Sequence, residues 1–199
     1  SVALVDRGAP GAETSYGNAG VIQREAVEPY AFPRQPLDFL RAMFRQGLSV
    51  NYHFRALPAL VMPLARYWWS SAPSQYAGIA RAYSRLIEHS TSEHDRFIGD
   101  AGADDLVTRD GYRLIFRNQA VAERTLRDAE RMAGEYGLSY APLDPAGMLK
   151  AEPLLRSGFS GGLQWRDPWT VRDPGALVER YATLFRQRGG AAMRGDALS

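Results

Sequence analysis

The chain opens on a short apolar run that ends abruptly in charged and turn-forming residues. Residues 2–5 are Val-Ala-Leu-Val, and Asp6, Arg7 and the Gly-Ala-Pro-Gly segment 8–11 follow directly. A continuous apolar run bounded by turn residues is typical of a strand buried on both faces, as the strands of parallel sheets are. Because such a sheet needs helices to cover it, this run predicts an α/β architecture.

The residues after this strand predict a long loop and then several helices. Residues 8–36 are rich in Gly, Pro and small polar side chains, and long loops in compact domains usually have a function. Apolar residues at helical spacing predict helices over 36–46, 58–70, 74–98, 119–136, 144–151 and 174–188. The apolar faces predicted to be buried include Leu60, Val61, Leu64 and Trp68 in the second helix, and Ile79, Tyr83, Leu86, Ile87 and Phe97 in the third.

Strand-like segments lie between and after these helices. Residues 106–108 and 112–117 flank Asp110-Gly111, and this pattern predicts a β-hairpin. Residues 161–165 and 191–198 predict two more strands. The order of elements indicates a mixed α/β chain with a helical insertion.

Composition and charge exclude several kinds of site. The 199 residues contain no cysteine, which excludes disulfides, thiolate metal sites and a cysteine nucleophile. The formal net charge of +2 does not favour a nucleic-acid partner. No apolar run reaches the roughly 18 residues of a transmembrane segment. His89 and His94 are five residues apart and do not share a helical face, so we expect two surface histidines and no metal site.

Two segments near the start of the chain are candidates for cofactor binding. Asp6 ends the first strand, where dinucleotide-binding folds place a carboxylate that accepts hydrogen bonds from ribose hydroxyls; a strand-ending turn residue is the alternative explanation. Residues 13–20, Glu-Thr-Ser-Tyr-Gly-Asn-Ala-Gly, form a small and polar segment. Its backbone N–H groups can approach a pyrophosphate or a flavin ring closely, and a solvated turn is the alternative.

Together these segments resemble the FAD-dependent D-amino-acid dehydrogenase and amino-acid oxidase family. The sequence VALVDR…ETSYGNAGVI resembles the family's second Rossmann strand and the Thr-Ser-aromatic-(Ala/Gly)-Asn-Ala-Gly loop after it. Residues 111–117 resemble its G-x-L-x-L-F-R strand, 152–163 its E-P-x-L…G-G segment, and the helix from Asp173 its G-D-P…F…L segment. The stretch 40–100 matches only in helical character, and Asp167 and Trp169 depart from the Gly-Asp pair of many members.

The resemblance implies FAD as cofactor and assigns it to named residues. Asp6 would hold the adenosine ribose, where the family more often has Glu, and Arg7 would lie near the adenine or ribose. Thr14 and Ser15 would contact the pyrophosphate and ribityl region. Ala197 would place its backbone against the adenine. The residues beside the isoalloxazine ring would be Asn18, Ala19 and Gly20, with Val21 and Ile22 just beyond.

The resemblance also implies a substrate-binding strand. Tyr112, Arg113 and Arg117 lie on the strand that matches the family's substrate sheet, where an Arg can pair bidentately with a substrate carboxylate. Alternating residues on a solvated strand explain them equally well. The catalytic residues are not identified by these patterns.

The fold implied by the resemblance is an incomplete Rossmann-type FAD-binding domain with an inserted helical and antiparallel-sheet substrate domain. Residues 1–36 would belong to the FAD-binding domain, 37–170 to the substrate region, and 171–199 to the return into the FAD-binding domain. The glycine fingerprint belongs about 20 residues before the acidic residue. We therefore expect the first strand and its glycine loop to be missing here, and these 199 residues to bind FAD poorly and to be inactive alone.

The implied activity is oxidation of the C–N bond of an amino acid or amine by hydride transfer to flavin, as in amino-acid catabolism (EC 1.4). A quinone, an electron carrier and oxygen all remain open as electron acceptors. We expect a cytoplasmic protein, with peripheral association at the inner face of the membrane as the alternative. The alternative function is a non-catalytic α/β binding or scaffold domain, with residues 8–36 as its partner-binding loop.

Overall fold

The computed structural model describes residues 2–34 and 54–196, and these form a mixed α/β chain, as predicted. The helix predicted at 36–46 and the predicted adenine contact Ala197 lie outside the described residues. The strands are β1 (Ala3–Asp6), β2 (Val21–Ile22), β3 (Val107–Thr108), β4 (Tyr112–Phe116), β5 (Tyr140–Leu143), β6 (Gly161–Trp165), β7 (Trp169–Val171) and β8 (Ala191–Arg194). The helices are α1 (Leu57–Ser70), α2 (Pro73–Ile87), α3 (Ser90–Asp100), α4 (Gln119–Tyr136), α5 (Pro145–Ala151) and α6 (Pro174–Gln187), with 3₁₀ turns at Phe54–Ala56 and Asp104–Leu106.

The chain divides into two compact units. The first unit contains Ser1–Glu25 and Ile87–Ser199, and the second contains Ala26–Leu86.

The first unit begins with the predicted parallel strand. β1 pairs in parallel with β8 over four residues, from Ala3 opposite Ala191 to Asp6 opposite Arg194. The prediction that this strand is buried on both faces is wrong in this structure, because Val2 is 66% exposed and Leu4 is 53% exposed. In the described residues this sheet consists of β1 and β8 alone, and these two strands do not bury the side chains of β1.

Helix α6 leads the chain into β8 and begins as the sequence predicts. Asp173 caps it by accepting a hydrogen bond from the N–H of Ala176 at 2.9 Å. Pro174 occupies the first helical position, where its fixed φ suits the helix and its missing N–H leaves no donor unpaired. Leu177 and Leu184 lie on the buried face of the helix.

The second sheet contributes to one apolar core cluster of the first unit. Its strands run in the order β2-β7-β3, and both pairings are antiparallel. The core joins β2, β7, α3, α6 and the turn that precedes β3, and it consists of Ile22, Ile98, Ala103, Leu106, Val171 and Leu177.

The third sheet corrects the predicted hairpin. Strands β3 and β4 exist on either side of Asp110-Gly111, but β3 pairs with β7 and β4 pairs with β6. The sheet order is β4-β6-β5. Gly111 has φ +67°, and a Cβ there would lie 1.7 Å from the carbonyl oxygen of Trp165. The glycine therefore lets the chain pass close to the end of β6. The pairing of β4 with β6 replaces the hairpin that the local pattern predicts.

The second unit contains the first two described helices. Its extended segment is tied to α1 and α2 by polar contacts: Tyr67 Oη donates to the Tyr30 carbonyl at 2.7 Å and Tyr76 Oη donates to the Pro29 carbonyl at 2.6 Å. Two residues of the predicted buried stripes, Tyr83 and Ile87, are half-buried. The prediction is wrong for the others, which are exposed: Leu60, Val61, Leu64, Trp68, Ile79, Leu86 and Phe97. Apolar spacing identifies the apolar face of a helix but not whether another element covers it. The predicted third helix is two helices, α2 and α3, separated by Glu88 and His89.

Replacing Gly111 by alanine should destabilise the chain by about 2 kcal/mol or more, because the new Cβ meets backbone and the left-handed φ is strained. Gly134→Ala is the matched control, since Gly134 lies inside α4 with nothing within 4 Å of a Cβ. Alanine there should be neutral or stabilising by about 0.5–1 kcal/mol. Urea unfolding followed by circular dichroism measures both, and equal stability of the two variants would contradict the packing described.

Candidate functional site

The loop between β1 and β2 is a series of tight turns. Asp6 Oδ1 accepts the N–H of Gly8 at 2.9 Å, so one carboxylate oxygen of Asp6 closes the turn that ends the strand. Tyr16 N–H donates to the Glu13 carbonyl at 3.0 Å, and Asn18 Oδ1 accepts the N–H of Gly20 at 3.0 Å. The N–H groups of Gly8, Tyr16 and Gly20 are therefore bonded within this segment.

Two glycines fix this loop against the neighbouring elements. Gly20 has φ +66°, and a Cβ there would lie 2.2 Å from the carbonyl oxygen of Val171, whose own N–H donates to the Gly20 carbonyl at 2.6 Å. Gly11 has φ +79°, and its Cβ would lie 2.4 Å from the carbonyl oxygen of Gly175 in the first turn of α6. The loop is therefore held by backbone contacts on β7 and on α6.

The loop borders two grooves of the first unit. The strand groove, about 480 Å³, lies among β1, the loop and α6, and it contains Asp6, Thr14 and Ser15 in its lining. The loop groove, about 440 Å³, is lined on the loop side by Ser15, Asn18, Gly20, Val21 and Ile22. Ser15, Val178 and Tyr181 line both grooves, so the two adjoin along α6.

Most of the residues assigned to the cofactor therefore line one of these two grooves. Arg7 and Ala19 line neither, and both are exposed. The carbonyl of Arg7 accepts a hydrogen bond from Arg194 Nε at 3.0 Å, which ties the end of β1 to the end of β8. The cofactor roles of all these residues remain predictions.

His94 corrects one expectation from the sequence. His89 is exposed as predicted, but His94 is half-buried, lines the loop groove and lies with Nδ1 2.9 Å from Tyr181 Oη. Burial lowers the pKa of His94 and raises the pKa of Tyr181 to about 12, so both are uncharged at neutral pH. A signal was available, because His94 lies four residues before the fully buried Ile98 and shares its helical face.

Tyr112 is connected to the loop groove through a carboxylate that the sequence did not single out. Glu25 is only 5% exposed, and its Oε1 accepts hydrogen bonds from Tyr112 Oη at 2.9 Å and from Gln23 Nε2 at 3.0 Å. Gln23 lines the loop groove. The Oε2 atom of Glu25 is buried without a hydrogen-bond partner in the part of the chain that the structure describes.

The two arginines assigned to the substrate differ in their surroundings. Arg113 Nη1 donates to Glu152 Oε1 at 2.9 Å, and its Nη2 donates to Asp110 Oδ2 at 3.3 Å. Two carboxylates therefore already surround this guanidinium. Arg117 is exposed. Neither arginine lines the strand groove or the loop groove.

Residues 2–34 and 54–196 contain neither a cluster of metal-ligating side chains nor a helix able to cross a membrane. Among those residues no three His, Asp or Glu side chains cluster so as to hold a metal ion. Within the same ranges, no helix combines the length and the apolar character that crossing a bilayer requires.

The family of this chain follows from its similarity to known proteins. The family model described as FAD dependent oxidoreductase matches residues 1–199. The chain belongs to the FAD-dependent oxidoreductase family. The predicted resemblance is confirmed, and FAD is the cofactor of this family.

Curated relatives in this family are named D-amino acid dehydrogenases. The chain is 29% identical over 197 residues to that of Chromohalobacter salexigens, covering 97% of this chain and 46% of the relative. It is 30% identical over 196 residues to that of Xylella fastidiosa strain M12, covering 94% of this chain and 44% of the relative. The chain thus spans a little less than half the length of these relatives.

Solved structures share the fold. Glycine oxidase from Geobacillus kaustophilus superposes with a TM-score of 0.54 at 17% identity, over 96% of this chain and 39% of that one. L-α-glycerophosphate oxidase from Mycoplasma pneumoniae, solved with FAD bound, gives 0.50 at 14% identity, over 96% of this chain and 38% of that one. The predicted fold class, α/β with part of a Rossmann-type FAD-binding domain, is confirmed.

The His94–Tyr181 contact makes a prediction about stability and pH. Below its ordinary pKa of 6.5, His94 takes up a proton in the unfolded chain, whereas the folded chain keeps it neutral to lower pH. Protonation of His94 therefore favours the unfolded chain. The free energy of unfolding decreases as the pH falls below about 6.5. Unfolding in urea at pH 5.5 and 7.5 should show a smaller loss for His94→Gln than for the wild type. His89→Gln should behave as the wild type, and an equal loss in all three chains would contradict the assignment.

Proposed function

We propose that this chain forms part of the cofactor site and of the substrate region of an FAD-dependent amino-acid or amine dehydrogenase or oxidase. The observation that carries the proposal is that six residues assigned to FAD from the resemblance line two adjoining grooves along α6. They are Asp6, Thr14, Ser15, Asn18, Gly20 and Val21. A solvated turn offers no reason for such a common lining.

The residues of the grooves suit a flavin dinucleotide in their chemistry. The loop presents backbone N–H groups and the hydroxyls of Thr14 and Ser15, which can donate to phosphate oxygens. Gly11 and Gly20 hold the loop so close to α6 and β7 that a side chain at either position would displace it. The opposite walls carry apolar side chains, among them Val178 and Leu177, which suit an aromatic ring.

The roles proposed for the individual residues follow the resemblance. Asp6 accepts hydrogen bonds from the adenosine ribose and Arg7 lies beside it. Thr14 and Ser15 bind the pyrophosphate and ribityl region. The residues proposed to border the isoalloxazine ring are Asn18, Ala19 and Gly20, with Val21 just beyond. Bound FAD supplies a two-electron acceptor for oxidation of a C–N bond by hydride transfer.

The substrate proposed is a small amino acid or amine, because curated relatives are named for D-amino acids. Tyr112 has the most direct connection to the loop groove, through Glu25 and Gln23. Arg113 would have to leave Glu152 and Asp110 before it could pair with a substrate carboxylate, and Arg117 is exposed to solvent.

The wider organisation also remains part of the proposal. Residues 1–36 and 171–199 would serve the FAD-binding domain, and 37–170 the substrate region. Electrons would pass to a quinone, a carrier or oxygen, in the cytoplasm or at the inner face of a membrane.

The test is FAD binding by the full-length protein, with Asp6→Asn as the decisive variant. Asparagine can still accept the Gly8 N–H and close the turn, but it replaces a carboxylate oxygen by a donor that cannot accept from ribose. We expect a yellow protein whose FAD affinity falls about tenfold in Asp6→Asn, with an unchanged melting temperature of the apoprotein.

Asp128→Asn, at an exposed position of α4, is the matched control and should bind FAD as the wild type does. A colourless wild-type protein that ignores added FAD would overturn the proposed function and leave the binding or scaffold alternative. Wild-type affinity in Asp6→Asn would show Asp6 to be only a turn residue.

A further inference from the structure

The loop groove has a polar pair on its helix side to which the resemblance assigns no role. His94 on α3 and Tyr181 on α6 both line the groove, opposite the backbone of the loop. We propose that His94, positioned by Tyr181, contacts the bound cofactor by donating a hydrogen bond from Nε2 to an acceptor atom of FAD. This inference rests on the proposed function.

The geometry leaves one nitrogen of the imidazole available to a ligand. Tyr181 Oη lies 2.9 Å from His94 Nδ1, and both rings are packed in contact, with centroids 5.9 Å apart. The other hydroxyl on the helix side of the groove, Ser90 Oγ, already donates to the Gln23 carbonyl at 2.8 Å. The Tyr181 contact engages Nδ1 of His94, and Nε2 has no hydrogen-bond partner among residues 2–34 and 54–196.

The protonation states allow Nε2 to be a donor, with Tyr181 donating to Nδ1. Burial raises the pKa of Tyr181 to about 12, so its hydroxyl keeps its proton and can donate to Nδ1. Burial lowers the pKa of His94, so the ring carries a single proton. When Nδ1 accepts from tyrosine, that proton resides on Nε2.

The surroundings explain why a ligand acceptor would be bound tightly there. Apolar side chains make up much of the groove around His94, and they include Ile22, Ile87, Val171 and Leu177. A polar N–H that is half-desolvated loses free energy unless it finds a partner. The flavin carbonyls and the phosphate oxygens of FAD are acceptors of the required kind.

The experiment compares two amides at position 94 in the full-length protein. The longer amide of His94→Gln can place its N–H near the position of Nε2, whereas the shorter amide of His94→Asn reaches only the position of Nδ1. FAD affinity is measured by quenching of flavin fluorescence, together with the visible absorption maximum of the bound flavin. The melting temperature is recorded with and without FAD.

We expect His94→Asn to weaken FAD binding about tenfold, to shift the flavin band and to reduce the stabilisation by FAD. His94→Gln should stay within about threefold of the wild type, and Tyr181→Phe should fall between the two because the ring loses its fixed orientation. His89→Gln, at an exposed histidine just before α3, should change nothing.

The outcomes separate this inference from the function on which it rests. If the wild type binds FAD and His94→Asn binds it equally well, the histidine contact is wrong while the proposed function stands. If both amides lose affinity equally with intact apoprotein stability, a donor at the Nε2 position is likewise excluded. If the wild type binds no FAD, the proposed function and this inference fail together.

Discussion

The backbone contact between Gly20 and Val171 is the constraint on which the candidate site depends. The carbonyl oxygen of Val171 lies so close to Gly20 that no side chain fits at position 20. The Val171 N–H donates to the Gly20 carbonyl at 2.6 Å. Because Val171 precedes the Asp173 cap by two residues, the same contact fixes the loop relative to the start of α6. The grooves that adjoin along α6 follow from this arrangement.

Apolar spacing in the sequence predicted the helices α4, α5 and α6. The structure shows that the side chains of Asn118, Asp144 and Asp173 cap their starts. Each cap acts within one helical turn, so nearby residues determine where the helix begins. The loop that resembles a flavin-binding segment was likewise readable, because its small and polar residues are contiguous.

Contacts between segments far apart in the sequence could not be predicted from local patterns. The Asp110-Gly111 sequence is typical of a hairpin turn. In the structure, Gly111 instead allows the chain to pass close to Trp165, and β4 pairs with β6. His94 and Glu25 became candidates only through partners 87 residues away along the chain, Tyr181 and Tyr112. The exposure of apolar residues in β1 and α1 could not be predicted either, because an apolar pattern does not show whether another element covers it.

The most direct test of the account is FAD binding by full-length protein in which Gly20 or Gly17 is replaced by alanine. Both glycines have a positive φ, +66° and +71°, so the backbone strain is matched, but only at Gly20 does the new Cβ meet another residue within 4 Å. Titration with FAD should show a loss of at least about tenfold for Gly20→Ala relative to Gly17→Ala. Equal affinities in the two variants would contradict the claim that the docked loop forms the cofactor site.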